Sequence, residues 1–247
     1  MHPGSIPGEA SKPLLPSAFQ TGALRGMSDL SAMRRTMVDT QLRTYDVTSK
    51  RVLDAFETVA REHFVPTVLT QLAYTDQPVT VRALTGQSRA LVPPMVLARM
   101  IQSLELEPGS QVLAVAGGTG YGAAVLAQMG CQVTLMEADD GLADLARAAL
   151  AKAGAASIVV TSGAFEQGAA AGASFDSILV EGAIETEPKA LLAHLQDGGR
   201  LVAVMGRGRA GRVVVIQRNG ETFGHRSIFD ASVPVLEAFL SKPGFQF

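Results

Sequence analysis

Between Val112 and Gly122 the chain reads VLAVAGGTGYG, an apolar run that breaks into Gly117, Gly118, Thr119 and Gly120. Glycines at such a break let the backbone turn sharply and let a ligand approach without meeting a Cβ. The N–H groups left free where a helix starts after the break suit a negative group, such as a carboxylate. Glu137 ends the next apolar run. It stands close to the offset of about 20 residues at which an acid accepts hydrogen bonds from ribose hydroxyls. Loop, flanking runs and acid together predict a nucleoside-cofactor site containing Gly117, Gly118, Thr119, Gly120, Tyr121 and Glu137. Two cofactors fit the residues. A nicotinamide dinucleotide would use the loose G-x-G-x-x-A form at Gly118, Gly120 and Ala123. S-adenosyl-L-methionine has no phosphate and needs no third glycine. The spacing leaves both open.

Other residues able to do chemistry are scattered. His63 sits at a helix end and His194 in the last turn of a helix, where a partial positive charge is favoured; His2 and His225 have no partner in sequence. There is no H-E-x-x-H pattern and only one cysteine, so no metal site is expected, and Cys131 reads as a small buried residue at a strand start. Arg207, Arg209 and Arg212 alternate with Gly206, Gly208 and Gly211, which reads as a solvated hairpin tip. Glu181, Glu185 and Glu187 follow the fourth strand, at the end of the sheet where ligands bind in doubly wound folds. An acidic loop there would repel an anionic substrate.

The elements that must position these groups alternate in type. Short apolar runs at Gln111–Ala116, Gln132–Met136, Ser157–Thr161, Ser174–Val180 and Leu201–Met205 read as strands. Between them, helical spacing runs through Val125 and Met129, from Asp140 to Gly154, and from Pro188 to Leu195. Asn219-Gly220 joins Arg212–Gln217 to Phe223–Phe229 as a terminal antiparallel pair. The pattern predicts an α/β fold: a doubly wound, mostly parallel, Rossmann-like sheet with an antiparallel C-terminal hairpin. A helical lead-in precedes it, with one helix from Ser31 to Thr44, a second capped by Thr48 or Ser49, and a third started by Pro94. The polar stretch from Tyr74 to Pro94 reads as a long, functional loop. Residues 1–26, rich in Pro and Gly, read as a disordered arm or extension, and 27–247 as one domain, with lead-in and loop at 27–104 and the sheet at 105–247.

The whole composition agrees. With 247 residues, 47 % hydrophobic and 18 % charged, the chain can bury a large core. A formal charge of −2 offers no field for nucleic acid or an anionic membrane, and no apolar stretch approaches the roughly 20 residues that span a bilayer. A cytoplasmic enzyme acting in a reducing compartment is expected; the oligomeric state is left open.

The order of motifs resembles the protein-L-isoaspartate O-methyltransferase family. The run RVLDAFETVAREHFVP at 51–66 is the most specific match. The Pro94-Met95-Val96-Leu97-Ala98-Arg99-Met100 helix, the glycine loop with its acidic strand end, Phe175–Val180, Leu195–Val202 and Val233-Pro234-Val235 follow in order, so the resemblance covers about 33–240. It implies a class I methyltransferase fold and S-adenosyl-L-methionine as donor. It also implies a protein or peptide substrate, methylated on the α-carboxylate of isoaspartyl residues in damaged proteins. It implies Gln87 and Arg89 on the substrate side and Ser88 at the reacting group, provided two residues are inserted after Gly86-Gln87; an ungapped count puts Val92 there instead. Ala114 stands where the family carries an acid, Ala116 where it carries the first loop glycine, and no acid stands in 161–165, with Glu166 nearest. These departures keep a second expectation open, a catalytically weakened or inactive member acting as a cofactor-binding or regulatory domain.

Overall fold

The computed structural model describes residues 30–241. The arm read at 1–26 lies outside them.

Among the described residues, nine strands form two sheets. The large one has the order β5-β4-β3-β6-β7-β8-β9, built from β3 (Gln111–Val115), β4 (Gln132–Glu137), β5 (Val159–Ser162), β6 (Phe175–Ile184), β7 (Leu195–Met205), β8 (Arg212–Asn219) and β9 (Thr222–Asp230). Pairing is parallel from β5 to β7 and antiparallel at β7–β8 and β8–β9. This is the expected doubly wound sheet with its C-terminal hairpin.

Side chains alternate across the sheet. Val112, Ala114, Leu135 and Leu179 face one core, while Leu113, Val115, Met136 and Val180 face the other. On the first face lie α1 (Lys50–Thr58), α2 (Pro94–Ser103), α3 (Tyr121–Gln128) and α4 (Asp140–Lys152), contributing residues such as Phe56, Leu97, Val125 and Ala146. On the second lie α5 (Lys189–Leu192) and the turn at Phe165–Gln167, with Leu191, Phe165 and Phe239 in the core. The chain thus winds outward from β3 with helices on one face, returns to β6 beside β3, and winds the other way. The crevice between β3 and β6 is the switch point at which such sheets bind ligands.

Local chemistry sets the helix starts. Ser49 Oγ accepts the Val52 N–H, so Ser49 is the cap of α1. Pro94 opens α2, and the Asp76 carboxylate accepts the Met95 N–H from across the lead-in. Asp139 caps α4 by accepting the Leu142 N–H at 2.9 Å. The first predicted helix is α-helical over 30–37, then widens into a π turn at Val38–Leu42 and tightens at Arg43–Tyr45.

Three expectations need correction. The stretch from Tyr74 to Pro94 is not wholly loop, because Val79–Arg82 (β1) and Ser88–Leu91 (β2) pair as an antiparallel hairpin. The fourth predicted strand does not stop at Val180 but runs to Ile184, so Glu181 is a strand residue, only 2 % exposed, and not part of a loop. The helix predicted to Leu195 ends at Leu192, and β7 already begins at Leu195. The Asp197-Gly198-Gly199 turn is absorbed there as an irregularity in the pairing between Phe175 and Ser177.

Candidate active site

The glycine loop leaves β3 at Ala116, which adopts a left-handed φ of 61°. Gly118 and Gly120 follow with φ of 59° and 88°. These values need glycine or strain. Gly120 precedes α3, so the loop wraps onto a helix start as predicted.

The loop is held by Glu137. This carboxylate is fully buried at the end of β4. Its Oε1 accepts the Gly118 N–H at 2.6 Å, and its Oε2 accepts Arg89 Nη2 at 2.8 Å and the Ala138 N–H at 3.3 Å. Arg89 Nε reaches Oε1 at 3.4 Å. Arg89 thus arrives from β2 and lays its guanidinium between Glu137 and the Phe165 ring, 5.6 Å from the ring centroid. The hairpin comes with it. A Cβ on Gly118 would meet Leu91, Arg89 and Val81 at 3.1–3.3 Å, so β1–β2 packs directly over the glycine loop. At the hairpin tip, Thr85 donates to Asp139 at 2.9 Å.

Beside this contact opens a cleft of about 670 Å³. Gln87, Ser88 and Arg89 line one wall, Ala138, Asp139 and Phe165 another, and Glu181 with Pro234 and Leu236 a third. Ser88 lines this cleft, whereas Val92 is buried in the core with its carbonyl accepting Arg61 Nη2 at 3.0 Å.

The remaining loop residues do other work. Thr119 Oγ1 donates to the Phe64 carbonyl at 2.6 Å and ties the loop to the lead-in. Tyr121 is fully buried, edge-on to Phe56 and Phe64, with the Arg61 guanidinium 4.6 Å from its ring centroid. Burial pushes its phenol well above the usual range. Gly117 and Gly122 both abut the Glu181 carboxylate; a Cβ on Gly117 would stand 2.9 Å from Oε1, and one on Gly122 closer still. Glu181 itself is pushed up to about 8, by burial first, with Glu137 adding to the rise and Arg61 opposing it.

The acids beyond β6 have partners. Glu185 pairs with Arg207 at 2.7 Å and accepts both the N–H and the hydroxyl of Ser241 at 2.9 Å, and those bonds hold its carboxyl below the usual value. Glu187 faces His225 at 3.5 Å. In the expected acidic loop, Glu185 thus has Arg207, at the solvated tip, as a counter-ion, while Glu187 has only an imidazole beside it. Arg212 pairs with Asp230 instead. His194 receives its partner from Ala173, whose carbonyl lies 2.9 Å from Nδ1.

Sequence reasoning missed Phe165 as a wall of the cleft and Arg61 as a buried cation. No spacing rule marks either; only the packing of the 51–66 run against the loop brings Arg61 to Tyr121.

A glycine loop at the switch point of a doubly wound sheet, with a buried acid at the end of the adjacent strand and a cleft opening beside both, has the layout of a nucleoside-cofactor site on a fold of the class I methyltransferase kind. Residues 33–235 match the family of protein-L-isoaspartate(D-aspartate) O-methyltransferases, and the chain belongs to that family. The protein-L-isoaspartate O-methyltransferase of Methylorubrum extorquens is 39 % identical over 210 residues, covering 84 % of this chain and 90 % of that one. The Gloeobacter violaceus enzyme of the same name is 39 % identical over 170 residues, 69 % of this chain and 81 % of its own. The fold is that of a solved Plasmodium falciparum protein described as a protein-L-isoaspartate O-methyltransferase and bound to S-adenosyl-L-homocysteine. That match has a TM-score of 0.70 at 16 % identity and covers 83 % of this chain and 98 % of that one. S-adenosyl-L-methionine is the methyl donor of this family. No helix among the described residues is long and apolar enough to cross a membrane.

Proposed function

We propose that the chain methylates the α-carboxylate of isoaspartyl residues in damaged proteins, with the donor seated across the glycine loop and the peptide entering along the wall formed by Gln87 and Ser88. The observation that carries this reading is the buried Glu137, fixed by the Gly118 N–H behind the cleft wall formed by Arg89 and Ala138, within a chain whose family performs this reaction. The donor supplies a methyl group on a positively charged sulfur that leaves as a neutral thioether. A carboxylate is ionised at neutral pH, so the acceptor oxygen needs no general base. The chain's task is positioning and the exclusion of water. Gly118 and Gly120 keep the loop backbone open to close approach, and Glu137 offers acceptors to ribose hydroxyls once Arg89 yields them. The Ser88 hydroxyl, at the exposed start of β2, can donate to the acceptor carboxylate and aim its oxygen. Cytoplasmic repair of aged proteins is the setting this chemistry suits.

Methyl transfer to an isoaspartyl peptide and to its ordinary aspartyl isomer tests the reading. Transfer to the first alone is expected. Equal or absent transfer to both, by a chain that binds S-adenosyl-L-homocysteine, would sink it in favour of the binding-domain alternative. Glu137→Ala should weaken binding of that ligand at least tenfold in calorimetry, the loss of one or more charge-assisted hydrogen bonds at about 1.5–3 kcal/mol each.

A further inference from the structure

Four buried polar atoms near the glycine loop have no hydrogen-bond partner: Glu181 Oε1, Tyr121 Oη, and Nε and Nη1 of Arg61. Such atoms are rare in folded proteins, and each calls for an explanation. Here they gather on one side of one loop. Arg61 lies over the Tyr121 ring, and Glu181 abuts Gly117 and Gly122, the residues on either side of the turn into α3. No Arg61–Glu181 ion pair closes the gap, and the one hydrogen bond of the Arg61 guanidinium goes to the Val92 carbonyl. Glu181 is 2 % exposed and also lines the cleft. The loop therefore has two buried carboxylates, one on each side. Glu137 on β4 is fully bonded, whereas Glu181 on β6 has an oxygen with nothing to accept.

From this geometry we infer that Glu181 accepts the α-ammonium of the cofactor's amino-acid end, so that the cofactor lies across the loop with its ribose toward Glu137 and its amino acid toward β6. The assignment rests on the cofactor reading above. β4 and β6 flank β3, so the two carboxylates are two strand spacings apart, about 10 Å at ~4.8 Å per strand. That separation suits the two polar ends of one nucleoside joined through sulfur to an amino acid. An ammonium is also the ligand this environment calls for. A buried carboxyl facing a gap, pushed up to about 8, holds a proton at neutral pH, and an arriving cation lets it ionise and release that proton. Arg61, Glu137 and Tyr121 are the ionisable groups that act on it. Gly117 and Gly122 are small because the carboxylate occupies the space a Cβ would take.

The test compares two ligands on the full chain by calorimetry: S-adenosyl-L-homocysteine, and 5′-methylthioadenosine, which keeps the nucleoside and lacks the amino acid. Glu181→Gln should weaken the first at least tenfold and leave the second within twofold. Proton release on binding S-adenosyl-L-homocysteine at pH 7, read from buffers of different ionisation enthalpy, should be present in the wild type and lost in the variant. Gly122→Ala, which pushes the carboxylate from its place, should show the same selectivity. Methylthioadenosine binding reports that each variant is folded. Equal weakening of both ligands, or an unchanged affinity and proton count for S-adenosyl-L-homocysteine, would overturn the assignment. If methylthioadenosine binds the wild type but is indifferent to Glu137→Ala, the placement of the nucleoside is what fails, and this assignment falls with it.

Discussion

The Arg89–Glu137 pair is the most informative contact at the level of single residues. Sequence spacing brought Glu137 to the loop, and the structure places it there. The same spacing could not show that Arg89, forty-eight positions earlier, fills its acceptors, because nothing local links β2 to the end of β4. With Glu137 fully buried and Arg89 15 % exposed at the side chain, removing the cation leaves a buried charge unpaired. Arg89→Ala should therefore lower stability by about 3–5 kcal/mol in urea melts. It should also bind S-adenosyl-L-homocysteine at least as tightly as the wild type, since the ribose no longer competes with a guanidinium. Ala116 offers the opposite case. Its φ of 61° costs an alanine about 1–2 kcal/mol, part of which a glycine returns as chain entropy. Ala116→Gly is expected to raise stability by about 0.5–1 kcal/mol and the Tm by a degree or more, seen in a thermal melt.

Among the elements, the long apolar strands and the helices around them were readable because their periods are sustained. β1–β2 was not. Each strand has four residues, Val79 and Val81 are the only clear alternation in the first, and Gln77-Pro78 and Gly86-Gln87 give the whole stretch the look of a loop. Glu181 was misplaced for a related reason: an acid after an apolar run reads as the strand's end, and only pairing beyond it, Ala183 with Val204 and Ile184 with Met205, shows that the strand continues. The hairpin's position depends on Asp139, whose Oδ1 serves both as the cap of α4 and as acceptor for Thr85. Asp139→Ala should cost about 1–2 kcal/mol, somewhat more than a lone cap, and should speed hydrogen exchange in 83–91 ahead of the strands of the large sheet.

For the molecule as a whole, one buried carboxyl couples stability to pH. Glu181 moves from an ordinary value of 4.5 up to about 8 on folding. Between those values the native state keeps a proton that the unfolded chain has released, so this group's contribution is full below about pH 4.5 and is lost as pH rises through about 8. Urea melts of wild type and Glu181→Gln at pH 5.5 and 8.5 should show the wild type losing more stability across that interval. The fold also sets a tempo. Because β1–β2 packs over Gly118, a nucleoside seated against that part of the loop has to share its space with the hairpin, and movement of the hairpin, of microseconds to milliseconds in such elements, is expected to accompany exchange. Turnover then includes a waiting time that no improvement in the chemical step can shorten. For a protein that meets its targets only as fast as they age, such a delay would carry little penalty, and a hairpin resting over Gly118 between encounters shields that part of the loop from idle exchange.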